Sequence, residues 1–400
     1  MKSFFSKFKY VKFRDIGHIF LFLFALPIAL IKRRKRKDLW LVCDNGNEAA
    51  DNGYVFFKYV KENHPEQDCV FAVCKNSPDY EKVAVFGETV EYGSFKHWVL
   101  YLTARVNISS QKGGKPNYAV CNLLEVYGLV KNNRVFLQHG IILTDIEFLY
   151  YKNTKMSLFT TSTTREYEYV RDNYGYPQGY VQLLGLPRFD ELHGITVNKK
   201  QILIMPTWRE WLGNSTLTKN IKKNVKEFTS TEYYKRYSEL INSDALAELC
   251  EKHGFTVMFY LHREAQRFAD CFKSDNKNLI ICKYPEYKVD ELLKSSAFLV
   301  TDYSSIQTDF AYMKKPLCYF QFDYERFSKE HYHKAYFDYE TDGFGPVFKE
   351  SEDLVKYIEK IAKQGFETES EYIKRDNEFF DLCDTNNCER NFKAIKERWN

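Results

Sequence analysis

The chain has no Gly-x-Gly-x-x-Gly fingerprint and no Walker-type glycine loop, so neither a nicotinamide-dependent enzyme nor a P-loop kinase is favoured. It also lacks Cys-x-x-Cys pairs. Its ten cysteines are scattered, and the pairs Cys69/Cys74 and Cys383/Cys388 have no histidines at zinc-finger spacing. His331 and His333 alternate as in a strand or extended loop, but no partner ligands accompany them, and no metal is expected. A cleavable signal sequence is not recognisable, because the basic cluster follows the apolar run instead of preceding it. Scattered thiols without a signal suggest reduced cysteines in a cytoplasmic protein. Net charge is only +4, and much of the basic excess lies near the N-terminus. That argues against a broad nucleic-acid surface. There is no internal repeat and no low-complexity segment.

What is present suits two α/β domains. Four hundred residues exceed one ordinary core, and 44% hydrophobic with 28% charged residues describes a globular chain. The 30 Tyr and 33 Phe offer stacking partners for a base or sugar, although most must be ordinary filler. Residues Ile16 to Ile31 form a nearly continuous apolar run, broken by Pro27 and followed at once by six basic residues, Lys32 to Lys37. Sixteen residues fall short of the roughly 20 that span a bilayer. A monotopic or re-entrant anchor is expected, its basic cluster on anionic headgroups and Lys7, Lys9, Lys12 and Arg14 adding charge on the other flank. A spanning helix and a buried core helix are the alternatives. On this reading residues 1–37 are dispensable for the fold.

Beyond the anchor, short apolar strands alternate with helical patterns. Strand candidates are Leu39–Cys43, Cys69–Cys74, Val106–Ser109, Arg134–Gln138 and Leu158–Thr161, then Gln201–Met205, Phe255–Leu261, Asn278–Cys282, Ala297–Val300 and Leu317–Phe320. This order predicts parallel sheets in doubly wound domains over 38–190 and 191–400, which in tandem would form a cleft. Ligands of such sheets bind at strand carboxyl ends. Four predicted exits carry polar groups there: His139 and Gly140; Thr207 and Arg209; His262; and Thr301, Asp302, Ser304 and Ser305. The last runs a buried strand into a Ser-rich helix start, suited to phosphate or pyrophosphate. Alternatively, Asp302 or Ser304 simply caps a helix. Imidazole can take a hydroxyl proton near neutral pH, and the Arg209 fork fits phosphate oxygens. Gly113, Gly114 and Lys115 read as a surface turn, or as a basic loop meeting a phosphorylated acceptor.

In order along the chain come Asp51 to Tyr54, Gln138 to Gly140, Gly185 to Asp190, Pro206 to Arg209, Leu261 and His262, Thr301 to Ser305, and Asp309 with Phe310. Lys315 with Pro316, Phe320 to Tyr324, and Phe337 with Asp338 before Gly345 and Pro346 continue the series. This series resembles the CDP-glycerol glycerophosphotransferase family, the teichoic-acid primases and polymerases and their capsule-associated relatives. The resemblance covers roughly residues 38–395. It implies a GT-B-like fold of two Rossmann-like domains and a peripheral enzyme on the cytoplasmic face of a bacterial membrane. The implied reaction moves glycerol phosphate from CDP-glycerol, or ribitol phosphate from CDP-ribitol, to a glycan or lipid-linked hydroxyl with release of CMP. His139 would be the base on the acceptor side, with Gly140, Asp145 and Arg188 nearby. His262 would act at the donor phosphates. Arg209, Thr207, Thr301, Asp302, Ser304 and Ser305 would hold the pyrophosphate, with Asp309 close by. No cofactor is obligatory. Polymerase-type members continue His-Gly with Thr-Pro-Leu-Lys, whereas Ile141, Ile142, Leu143 and Thr144 stand here, as in capsule-locus relatives. The rival functions are a nucleotide-sugar glycosyltransferase of the same fold and a non-catalytic scaffold.

Overall fold

The computed structural model describes residues 15–212, 221–330 and 333–399. Lys7, Lys9, Lys12, Arg14, His331 and Tyr332 lie outside them. The chain divides into two units, one of residues 1–141, 146–191 and 381–400, the other of 142–145 and 192–380.

In the first unit, helix α1 (Ile16–Lys32) precedes β1 (Trp40–Cys43), α2 (Asn52–Asn63), β2 (Cys69–Val73), β3 (Thr89–Glu91), α3 (Phe95–Thr103), β4 (Val106–Ser109), α4 (Tyr118–Val126) and β5 (Arg134–Phe136). The two-residue β6 (Thr144–Asp145) belongs to the second unit, and β7 (Leu158–Thr161), α5 (Thr164–Asn173) and β8 (Val181–Leu183) complete the first. Its sheet runs β3-β2-β1-β4-β5-β7-β8 with every pairing parallel. Alternation along β1 sorts the two faces. Trp40 and Val42 join one core with Phe56, Phe57 and Phe71, while Leu41 and Cys43 join the other with Trp98, Leu100 and Leu102.

The second unit contains β9 (Asn198–Ile204), α6 (Glu232–Ile241), β10 (Thr256–Tyr260), β11 (Leu279–Cys282), α7 (Val289–Ser295), β12 (Ser296–Thr301), α8 (Ile306–Tyr312), β13 (Leu317–Phe320), β14 (His333–Lys334) and β15 (Val347–Phe348). Its parallel sheet has the order β11-β10-β9-β12-β13-β15. Strand order reverses between β9 and β12 here, and between β1 and β4 in the first unit. Such switch points open the crevice where doubly wound sheets take ligands. β6 and β14 form a separate antiparallel ribbon.

Two expectations are corrected. The closing helix α9 (Asn387–Trp399), expected within a 191–400 domain, belongs to the first unit, where Phe392 and Ile395 pack with Trp40 and Val42. The described part of the N-terminal segment, from Ile16 to Arg33, is not a detachable appendage either. Ala25 and Ala29 of α1 are buried in the core with Trp98, and Arg33 donates from Nε to the Leu102 carbonyl at 2.8 Å. Small residues on one face let the helix lie close to α3, while Phe20, Leu23, Phe24, Leu30 and Ile31 on α1 remain 54–67% exposed. Among the described residues no helix is long and apolar enough to cross a membrane.

Candidate functional site

In the first unit, β5 delivers Leu137, Gln138 and then His139. Gln138 takes the left-handed conformation, φ 64°, which costs a non-glycine residue about 1–2 kcal/mol. Its side chain holds the turn in place, donating from Nε2 to the Thr160 carbonyl at 2.7 Å and to Glu166 Oε1 at 2.9 Å. Its own carbonyl accepts from Asn52 Nδ2 at 2.8 Å. The turn sends the His139 side chain outward, 69% exposed, with Nδ1 2.5 Å from Asp51 Oδ2. Arg188 Nη1 donates to Asp51 Oδ1 at 3.1 Å and to the His139 carbonyl at 2.7 Å. Asn52 Oδ1 accepts the Arg188 amide at 2.9 Å. Half-buried Gly140 follows.

Behind this cluster lies Asp44, at the exit of β1. It is fully buried and accepts the amides of Asp51, Gly53 and Tyr54 and the hydroxyl of Ser110 at 2.7–3.2 Å. Burial, aided by the charge of Asp51, pushes its pKa up to about 7. Burial works against the charge on Asp51 too, but His139 and Arg188 outweigh it and lower that pKa. The Asp51 carboxylate in turn raises the pKa of His139 above the ordinary imidazole value. A neutral imidazole held at Nδ1 by a carboxylate keeps a lone pair on Nε2, the arrangement of a general base.

In the second unit the expected phosphate cradle resolves into two kinds of group. Arg209 is fully buried and does not present a fork to solvent. Its Nε and Nη2 meet Asp323 at 2.8 and 3.1 Å, and Nη1 meets Asp302 Oδ2 and the Thr207 carbonyl, each at 2.8 Å. Asp302 neither caps α8 nor faces solvent. It accepts the amides of Thr207 and Tyr303 at 2.8 and 2.6 Å and the Tyr237 hydroxyl at 2.9 Å. Thr301 donates to the Met205 carbonyl at 2.8 Å. Thus Thr207, Arg209, Thr301 and Asp302 lock the β9 exit to the β12 exit, and the expected pyrophosphate contacts of Arg209, Thr301 and Asp302 are structural bonds. Asp309 is buried within α8.

Ser304 and Ser305, by contrast, are half-buried just before α8, with Ser304 Oγ accepting the Ile306 amide at 3.4 Å. His262, also half-buried, follows β10 and caps a 3-10 turn by accepting the Glu264 amide at Nδ1, 3.3 Å. Asp145 lies in the β6–β14 ribbon of the second unit, opposite His333. Gly113 lies in a turn as expected, but Lys115 is not a free basic group, because it is fully buried against Glu125 beside Arg134.

The match to known proteins covers almost the whole chain. The model of the CDP-glycerol:poly(glycerophosphate) glycerophosphotransferase family fits residues 24–397. The chain belongs to that family. Within it, the minor teichoic acid biosynthesis protein GgaB of Bacillus subtilis is 34% identical over 373 residues, 90% of this chain and 40% of that protein. A teichoic acid poly(glycerol phosphate) polymerase of the same organism is 24% identical over 372 residues, 83% of this chain and 45% of the other. The chain therefore spans less than half the length of these curated relatives. The wall teichoic acid polymerase TagF superposes with a TM-score of 0.66 at 16% identity, covering 100% of both chains. A putative UDP-N-acetylglucosamine 2-epimerase from Listeria monocytogenes does so with a TM-score of 0.53 at 12% identity, over 90% and 96% of the two chains. These likenesses establish a GT-B-like α/β fold with parallel sheets.

Asp44, Asp51, Asn52 and Asp323 were not picked out as site residues from the sequence. Asp51 and Asn52 stood in a recognisable motif, but their partners His139 and Arg188 are 88 and 136 positions away.

Proposed function

We propose that this chain transfers glycerol phosphate, or a related alditol phosphate, from a CDP-alditol to a hydroxyl of a cell-surface glycan or lipid-linked acceptor and releases CMP. The observation that carries the reading is the Asp51–His139 pair at a sheet's carboxyl edge in a chain of this family. The acceptor oxygen attacks the glycerol-bearing phosphorus, forming the new P–O bond as the bond to the CMP phosphate oxygen breaks. His139 Nε2 takes the hydroxyl proton, a contribution typically worth about 10²–10⁴-fold. Ser304, Ser305 and His262 meet the donor phosphates with hydroxyl and imidazole groups, placed by the bracing of Arg209, Asp302 and Asp323. Helix α8 has only seven residues, so its dipole adds little and the hydroxyls and loop amides carry this role. Catalysis of this kind rests on positioning and charge stabilisation.

We also propose that α1 rests on the membrane at its cytoplasmic face. Its exposed Phe, Leu and Ile side chains offer an apolar surface next to the basic run Lys32–Lys37, which suits anionic headgroups.

The test is incubation of the full chain with CDP-glycerol, CDP-ribitol, and UDP- and GDP-sugars, plus lipid-linked acceptors, reading nucleotide release and product mass. CMP release with an alditol-phosphate mass gain supports the reading. Sugar transfer would replace it with the glycosyltransferase, and no turnover by folded protein would replace it with the scaffold.

A further inference from the structure

We propose that Asp51 is the positioning residue of His139, holding the imidazole with Nδ1–H toward its carboxylate and Nε2 outward, and that Arg188 fixes that carboxylate. The proposal deepens the general-base reading and rests on it.

Asp51 is the N-cap of α2, and capping alone would explain an acidic residue there. The cap, however, uses only one carboxylate oxygen. Oδ1 accepts the Asn52 amide at 2.8 Å and the Arg188 guanidinium at 3.1 Å, while Oδ2 faces His139 Nδ1. A cap has no need of a histidine, and a surface histidine has no need of three clamps on its turn. The Gln138 carbonyl is held by Asn52, the His139 carbonyl by Arg188 and the imidazole by Asp51. The unfavourable φ at Gln138 persists because the side-chain bonds around it fix the turn. Strain retained by such over-determination is characteristic of functional sites. The charged groups around His139 come from three elements: Asp51 at the start of α2, Arg188 from the 3-10 turn at Pro187–Leu192, and Asp44 after β1. The Asp51 carboxylate, the charge nearest the ring, outweighs burial and Arg188 and favours the protonated ring, and Asp44 adds only its partial charge. Removing the Asp51 charge must therefore lower the pH at which His139 becomes a neutral base.

The experiment follows the histidine ring by NMR titration of the full chain, with His139→Gln identifying the resonance, alongside kcat/KM for CDP-glycerol against pH. In the wild type, His139 titrates above the ordinary value of about 6.5. In Asp51→Asn, which keeps a capping side chain, the titration and the acid limb of the rate profile both move down, by about one unit or more. Turnover falls at least tenfold, within the loss of about 10²–10⁴-fold that removing the base itself would cause. Donor KM stays unchanged. Asp51→Ser also caps the helix and reproduces the shift, which separates the effect from helix disruption. An unmoved titration in both variants, with His139→Ala inactive, overturns the proposal alone. A shifted titration with His139→Ala fully active overturns the general-base reading.

Discussion

Arg209→Ala distinguishes a structural brace from a phosphate ligand. The guanidinium is 0% exposed, paired in bidentate fashion with Asp323, bonded to Asp302 and the Thr207 carbonyl, and flanked by the rings of Tyr303, Tyr233 and Phe327 at 4.8–5.3 Å. Truncation leaves two buried carboxylates facing each other without their cation. Breaking a buried pair costs about 3–5 kcal/mol, and two stranded acids place this variant toward the upper end. At 1.4 kcal/mol per tenfold, the folded-to-unfolded ratio of the second unit should fall by about 10²–10⁴-fold. A phosphate ligand would behave otherwise: stability would hold, and donor binding would lose the about 1.5–3 kcal/mol of a charge-assisted contact. Urea unfolding read by hydrogen exchange, which localises the loss to the amides around β9 and β12, is the assay. An unchanged unfolding midpoint with a raised KM for CDP-glycerol would refute the reasoning. Arg209→Lys should fall between, since one ammonium cannot serve both carboxylates in the planar geometry.

His139→Ala should cut turnover by about two to four orders of magnitude while CDP-glycerol affinity by calorimetry stays near wild type; retained activity would remove the base. Gly53→Ala should lower both melting temperature and turnover, by about 1–3 kcal/mol in stability, because its Cβ would meet Asp44 Oδ1 at 2.3 Å and displace the turn that carries Asp51. A chain starting at Asp38 should lose stability in its first unit by circular dichroism, since it uncovers the surface over Trp98 that Ala25 and Ala29 bury. In the full chain, Leu23→Glu with Phe24→Glu should leave that packing in place and reduce sedimentation with anionic vesicles.

Much of the fold was legible because buried parallel strands are short apolar runs, and β1, β2, β4, β7, β10, β12 and β13 all read that way. The edge strands β3 and β8 were missed. Three residues with Thr, Glu or Gln among them carry too little apolar pattern to distinguish them from a loop. The closing helix was assigned to the wrong unit, since an amphipathic stripe does not say which core it covers. The strand-exit positions of His139, His262, Ser304 and Ser305 were legible, and the fold leaves all four at least partly accessible. Arg209 was misread because local sequence shows a cation at a strand exit but not the acid 114 residues later that pairs with it. At Lys115 the turn suggested by the two glycines is present, but the burial of the ammonium was not legible, because only the fold brings Glu125 and Arg134 beside it.

The two units share a device at the place where a doubly wound sheet is weakest. At a switch point the crossover helices leave in opposite directions, and the loops after the two central strands have no helix packed between them. In the first unit a buried aspartate just after β1, Asp44, ties the β1 exit to Ser110 after β4. In the second, Asp302 just after β12 ties that exit to Thr207 after β9. Each carboxylate accepts several backbone amides, which stabilises its loop while keeping the acid itself away from solvent. The groups left partly exposed, His139 beside the first clamp and Ser304 and Ser305 beside the second, are thereby held on a backbone that is already fixed. Phosphoryl transfer gains most from such an arrangement, because its catalysis comes from groups that need not reorganise as charge develops. The aspartates buried at these exits, Asp44 and Asp302, thus hold the loops, while His139, Ser304 and Ser305 are the side chains left accessible beside them.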